Sequence, residues 1–243
     1  MHLEVREIRK QFHWKRALQG ISLTIEPGQI VAMVGLNGAG KSTLLRCLAG
    51  LAAPDRGDLL YDGKSFSRED IATRRRFFFL PDEPQFFPGE PLVRNLSILL
   101  RLYEADRPGM EDRIVELFQE LDLLGSAFRD PKGLSRGQRY KGMLAALVAI
   151  DPEIWLLDEP LASGMDPLGL AAFRKYARSA ADRGRTVIYS TQILDTAERL
   201  SDRLLILHEG RVHAFGPAGA LSELAGGNGG LDGLLDQLRD KTA

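Results

Sequence analysis

Residues 35–43 read GLNGAGKST. This run satisfies Gly-x-x-x-x-Gly-Lys-[Ser/Thr] in full. The segment before it, QIVAMVG, is almost continuously apolar, the pattern of a strand buried on both faces. The segment after it, TLLRCLAGL, has apolar residues at helical spacing. Strand, glycine loop and helix in that order form the context in which such a loop holds phosphate. Gly35, Gly38 and Gly40 permit the backbone to turn successive N–H groups inward as an anion nest. Leu36, Asn37 and Ala39 complete the loop, and the helix N-terminus adds its positive end. Lys41 is placed to reach the β and γ phosphates. Ser42 is placed to give its hydroxyl oxygen to Mg²⁺, with Thr43 beside it.

Further strands follow from local pattern. LEVREI and ISLTIE alternate apolar and polar residues, as half-exposed strands do. LLYDGK runs into an Asp-Gly turn. EIWLLDE, TVIYS and RLLILHEG read as buried strands. Between about 90 and 150 the period becomes helical: Leu92, Leu96, Leu99, Leu100 and Tyr103 share one face, and Ile114, Leu117, Phe118 and Leu121 another. Helices interleaved with buried strands point to a βαβ-type parallel sheet. The tail AGGNGGLDG reads as a Gly-rich linker before a short helix, LLDQLR.

The stretch IWLLDE puts two acids at the end of a buried strand. Asp158 suits the Mg²⁺ shell, and Glu159 is positioned to polarise a water for in-line attack on the γ-phosphate. GLSRGQ, at 133–138, fits two templates. As Gly-x-Ser-x-Gly it would be a nucleophile elbow, which needs a strand before the serine. AFRDPKGL, with Pro131 and its charges, is a poor strand, whereas QRYKGMLAALVAI is a good helix. Ser135 therefore reads as an N-cap, with Gly137 and Gln138 in the first turn.

Taken together, the phosphate loop, LSRGQ, and the downstream LLDEP with SGMD resemble the nucleotide-binding subunit of ABC transporters, over about residues 1–225. The resemblance implies an α/β fold: a P-loop NTPase core with a mixed, largely parallel sheet, an N-terminal antiparallel β region and an inserted helical subdomain at about 86–150. Residues 226–243 would be the linker and terminal helix. It implies an ATPase that uses ATP and Mg²⁺ to power transport by closing a head-to-tail dimer. Ser135, Gly137 and Gln138 would then face the ATP held by the Lys41 of a second ATP-binding subunit, identical or related. Phe12 would stack on adenine, and Asp166 would lie in the loop that links the two sites. The resemblance also implies a separate transmembrane permease partner and a cytoplasmic, peripheral location on the inner face of the membrane.

Two positions depart from the family pattern. Gln192, in YSTQIL, stands where the family usually has histidine. It donates through its amide but does not titrate, so hydrolysis is expected: either an oriented donor is all the step needs, or the rate is reduced. In LPDEPQFFPG, Asp82 aligns with the family's loop glutamine, and Gln85 is the alternative. A carboxylate takes a Mg²⁺-bound water as well as an amide oxygen does. An acid here, with FPGEPLVRNL, resembles the ABC-2-type exporter branch. Phe86 and Phe87 either form an exposed pair that receives the permease or pack into the helical subdomain. Arg136, Arg139 and Lys141 either assist the triphosphate or lie exposed.

Composition bounds the alternatives. The net charge of −1 offers no global field for nucleic acid, and RRR at 74–76 reads as a solvated face. The single cysteine, Cys47, rules out an internal disulfide framework. No apolar run reaches the roughly 18 residues needed to span a bilayer. A second reading, a soluble ATP-gated clamp or switch acting on nucleic acid or the ribosome, lacks the long heptads or the second cassette such proteins carry.

Overall fold

The structure is a computed structural model that describes residues 1–225; the Gly-rich linker and helix expected beyond them lie outside the described residues. The chain opens with a long hairpin, β1 (Leu3–Phe12) and β2 (Lys15–Ile25), then β3 (Ile30–Val34) and α1 (Lys41–Leu48). A second hairpin, β4 (Arg56–Tyr61) and β5 (Lys64–Ser65), turns at Asp62–Gly63, both with positive φ. That is the primed turn expected of Asp-Gly. A four-residue α2 (Ile71–Arg74) leads to β6 (Phe77–Leu80).

Three helices follow: α3 (Leu92–Leu102), α4 (Met110–Glu120) and α5 (Arg136–Ile150). The chain then alternates β7 (Ile154–Leu157), α6 (Pro167–Asp182), β8 (Thr186–Thr191), α7 (Leu194–Leu200) and β9 (Arg203–His208). It closes with β10 (Arg211–Pro217) and α8 (Ala218–Ala225).

Two sheets result. The antiparallel sheet has the order β2-β1-β4-β5; the second has β10-β9-β3-β8-β7-β6, parallel except for the edge strand β10. The fold is therefore the α/β arrangement expected. The antiparallel region is N-terminal as expected, with β4 and β5, which follow α1 in the chain, completing it.

Two apolar cores hold these layers. One fills the space between the sheets and around α1, with Leu3, Ile8, Ile21, Met33, Leu45 and Leu205. The other packs the opposite face of the parallel sheet against α3 to α6, with Leu96, Phe118, Tyr140, Leu147, Trp155 and Phe173. α5 is buried on every side from Tyr140 to Ile150, as expected of a helix with apolar residues all round. Its burial fixes the one end that stays accessible, the N-terminus at Ser135 and Arg136.

Candidate nucleotide-binding site

The phosphate loop leaves β3 at Val34 and enters α1 at Lys41. Gly38 has φ 83° and Gly40 φ 108°, conformations that a side chain would strain. Gly35 is constrained by space instead: a Cβ there would collide with the Leu207 carbonyl of β9. Lys41, only 6% exposed, folds back over the loop. Its Nζ donates to the Gly35 carbonyl at 2.7 Å and lies 3.4 Å from Glu159 Oε1.

β7 delivers the two acids. Asp158 is buried, and its Oδ1 accepts from Ser42 Oγ at 2.9 Å and from Ser190 Oγ at 2.7 Å. The same Ser190 hydroxyl accepts the Glu159 backbone N–H at 2.8 Å. Glu159 has φ 48°, a left-handed conformation uncommon outside glycine. Strain of this kind collects at functional sites. Gln192, just past β8, donates from Nε2 to Asn37 Oδ1 in the phosphate loop at 3.0 Å.

These groups share one open cleft of about 710 Å³, a size suited to a nucleotide. Phe12 forms part of its wall, half exposed, with the Lys10 ammonium 5.3 Å from its ring centre. Asp82 also faces the cleft and pairs there with the Arg136 guanidinium. Gln85 does not: its Nε2 donates to the Glu83 carbonyl, and it lines a separate groove of about 320 Å³ with Phe86 and Phe87. Phe86 packs against the helical core, while Phe87 is 38% exposed. Phe86 is therefore the packed member of the pair and Phe87 the exposed one.

Ser135 caps α5 as expected. Its Oγ accepts from Gln138 N at 3.1 Å, and Gln138 Oε1 accepts from Ser135 N at 3.0 Å, a reciprocal capping box. Helical structure begins at Arg136 and no strand precedes the serine, so the nucleophile elbow is excluded. Gly137 lies against the Gly164 carbonyl so closely that a Cβ would collide. Asp166 caps α6 through Gly169 N at 2.8 Å and pairs with the buried Lys141 ammonium at 2.9 Å. None of Ser135, Gly137, Gln138 or Asp166 lines the cleft of their own chain.

No sequence pattern marks Ser190, which organises both acids, nor Lys15 and Arg46, two further cations at the cleft. Arg76, in the RRR run, pairs with Glu153 and Asp62, and Arg75 with Glu104. Two of the three arginines of the run are thus ion-paired, and Arg74 donates to the Arg68 carbonyl.

A glycine cradle, a buried lysine and two acids at a strand end define a P-loop nucleotide-binding protein. Comparison with known proteins narrows this class. The family model described as ABC transporter matches residues 18–162. The ABC-type transporter ATP-binding protein EcsA of Bacillus subtilis is 34% identical over 236 residues, covering 97% of this chain and 94% of that protein. The SkfA peptide export ATP-binding protein SkfE, also of Bacillus subtilis, is 29% identical, covering 86% of this chain and 87% of its own. Other relatives of similar identity are named for sulfate/thiosulfate import. A solved structure described as the ATP binding subunit of an ABC transporter superposes with a TM-score of 0.90 at 30% identity, covering 98% of this chain and all of that one. The chain belongs to the ATP-binding subunits of ABC transporters; it binds ATP and is an ATPase.

Proposed function

We propose that the chain closes on a second ATP-binding subunit when MgATP binds in this cleft, hydrolyses that ATP there, and thereby drives a membrane permease in export. The observation that carries the reading is the convergence of Lys41, Ser42, Asp158 and Glu159 at one loop. The residues fit Mg²⁺: Ser42 Oγ and Asp158 Oδ1 are hard oxygen donors side by side, and this ion takes few protein ligands and completes its shell with water and phosphate. Bound there, it would neutralise charge on the β and γ phosphates. Asp82 is placed to accept from a water of that shell.

The chain's own groups account for the rest. The loop N–H groups and Lys41 hold the phosphates. Phe12 offers a face to the base without a hydrogen bond. A phosphate arriving at Lys41 competes with Glu159 for the ammonium and releases that carboxylate. Glu159 then takes a proton from water as the water oxygen bonds to the γ phosphorus. The bond to the β–γ bridging oxygen breaks, giving ADP and inorganic phosphate. Gln192 donates an oriented N–H to the γ-phosphate region, which is sufficient where positioning and charge stabilisation dominate.

Dimer closure is supported by what the cleft leaves out. Ser135, Gly137 and Gln138 form a helix end that does not line its own chain's nucleotide cleft, and such an end suits an anion. A partner's ATP would complete it. The domain reading is a cassette over residues 1–225 with a helical insertion at 86–150. Among the described residues no helix is long and apolar enough to cross a membrane. Membrane attachment on the cytoplasmic face would therefore come through a permease docking at Phe87 and its groove. Export is supported by the acidic loop residue Asp82 and by the likeness to SkfE.

The test is the Glu159→Gln chain at saturating MgATP, followed by light scattering. A dimer that dissociates on ATP removal is expected, and a persistent monomer would overturn the reading. Reconstitution with the permease it purifies with would show ATP-driven efflux; uptake would overturn the direction.

A further inference from the structure

The cleft holds two cation–carboxylate pairs. Lys41 pairs with Glu159 and Arg136 pairs with Asp82, and all four side chains line the same space. The first pair joins the phosphate-binding lysine to the acid that must be free for hydrolysis. The second has the same form, yet neither member is a P-loop residue. Arg136 is the first residue of α5, between Ser135 and Gly137, neither of which lines the cleft. Its guanidinium alone of this helix end enters its own chain's nucleotide site.

We propose that Arg136 is a catalytic residue of its own cleft, which exchanges Asp82 for the terminal phosphate when a nucleoside triphosphate binds. A guanidinium presents the same planar fork to phosphate as to carboxylate, so the exchange replaces one matched partner by another. A triphosphate brings more charge than one carboxylate and outcompetes it. The side chain is 44% exposed and its partner 42%, so neither is locked by packing and the exchange needs no repacking of the core. Released, Asp82 is free to accept from water near Ser42 and Asp158.

The exchange also has a consequence for the neighbouring residues. Arg136 is covalently continuous with the helix end that serves the other nucleotide. A contact that depends on the third phosphate thus reports the occupancy of one site to the surface offered to the partner. The chemistry selects triphosphate over diphosphate, because ADP ends where Lys41 already reaches.

The inference rests on placing the phosphates in this cleft but not on dimerisation. It is tested on the full chain, kept dilute enough to be monomeric, by calorimetric titration with ADP and with a β,γ-imido analogue of ATP, both with Mg²⁺. Arg136→Met should weaken the triphosphate analogue about tenfold and ADP less than twofold, and Arg136→Lys should recover part of the loss. Equal weakening of both nucleotides, or of neither, would overturn it. Circular dichroism of each variant reports folding. Lys41→Ala is the separate control: if it leaves analogue binding intact, the placement of the phosphates fails rather than the role of Arg136.

Discussion

Lys141 Nζ and Asp166 Oδ2 meet at 2.9 Å, joining α5, which carries the signature residues, to the cap of α6. The lysine is 3% exposed and the aspartate 48%. One carboxylate therefore does two jobs: its Oδ1 accepts Gly169 N to start α6, and its Oδ2 neutralises a buried ammonium. Gly169 has no room for a side chain because the Lys141 stem passes against it.

Removing this charge should destabilise the chain and should do so in a pH-dependent way. Hydrogen bonds from Lys141, first, and from Gly169 N hold the Asp166 carboxyl below its ordinary value. A depressed carboxylate contributes stability that is complete above the ordinary aspartate pKa and is lost as pH falls through the lowered folded value. Asp166→Asn keeps the cap and removes the charge. It is expected to cost about 1–3 kcal/mol at neutral pH, less than a fully buried pair because Asp166 is half exposed. Urea unfolding across pH checks this: the two curves should converge in the acid window, and parallel curves would show that the ion pair contributes nothing.

The Ser190 hydroxyl bridges Asp158 and the Glu159 backbone, so Ser190→Ala should separate binding from chemistry. The substitution leaves the Glu159 N–H without its partner, at about 1–3 kcal/mol. It also frees both acids to move. The expected result is a fall of about tenfold or more in kcat with a much smaller change in the ATP KM. A proportionate rise in KM with unchanged kcat would place Ser190 in ground-state binding instead.

How much of this was legible in the sequence follows from where each signal resides. The phosphate loop, the strand ending in Asp158 and Glu159, and the cap at Ser135 are local patterns, and local sequence determines them. The first hairpin was only half legible: β2 begins at Lys15, well before the alternating ISLTIE. Register shifts at Val5/Ile8, Ile8/Arg9 and Lys10/Gln11 break the two-residue period there. β10 escaped notice because an edge strand keeps polar residues and no continuous apolar run. Ser190 was invisible for a different reason. It is an unremarkable residue within a buried strand, and only the pairing of β7 with β8 sets it beside Asp158. The Arg136–Asp82 pair joins the first turn of α5 to the loop after β6, far apart in the chain, and no periodicity joins them.

Gly137→Ala should impair the seating of α5. The added methyl would collide with the Gly164 backbone, which cannot rotate away as a side chain can. Overpacking of this kind costs about 1–3 kcal/mol. Because the collision lies between the signature residues and the loop holding Asp166, ATP-induced dimerisation should be lost before monomer nucleotide binding is. Sedimentation in the Glu159→Gln background measures the first and calorimetry the second; equal loss of both would indicate general unfolding.

Phe12 supplies an aromatic face at the edge of the cleft, and its truncation should weaken ATP through the base alone. Stacking is worth about 1–3 kcal/mol per base, so Phe12→Ala should raise the ATP KM by about tenfold while kcat holds. Phe12→Trp should restore it. An unchanged KM in Phe12→Ala would move the base elsewhere in the cleft.

Gln192 tests how much a titrating side chain matters at this position. Its Nε2 is held by Asn37, so the amide is already oriented across the phosphate loop before any nucleotide arrives. If an oriented donor is what hydrolysis needs, Gln192→Ala should lower kcat by about 10²-fold, the cost of one lost transition-state donor. ATP affinity should change little, since the contact strengthens only as charge develops on the γ-phosphate. Gln192→His tests the other half of the argument. An imidazole donates equally but titrates near pH 6.5, so its chain should show a kcat that bends with pH between about 5.5 and 7.5, whereas the natural chain should not bend there on account of residue 192. A natural chain and a His chain with the same pH profile and the same kcat would show that orientation by Asn37 is the whole contribution. A large rise in kcat in the His chain would show that glutamine holds the natural enzyme back.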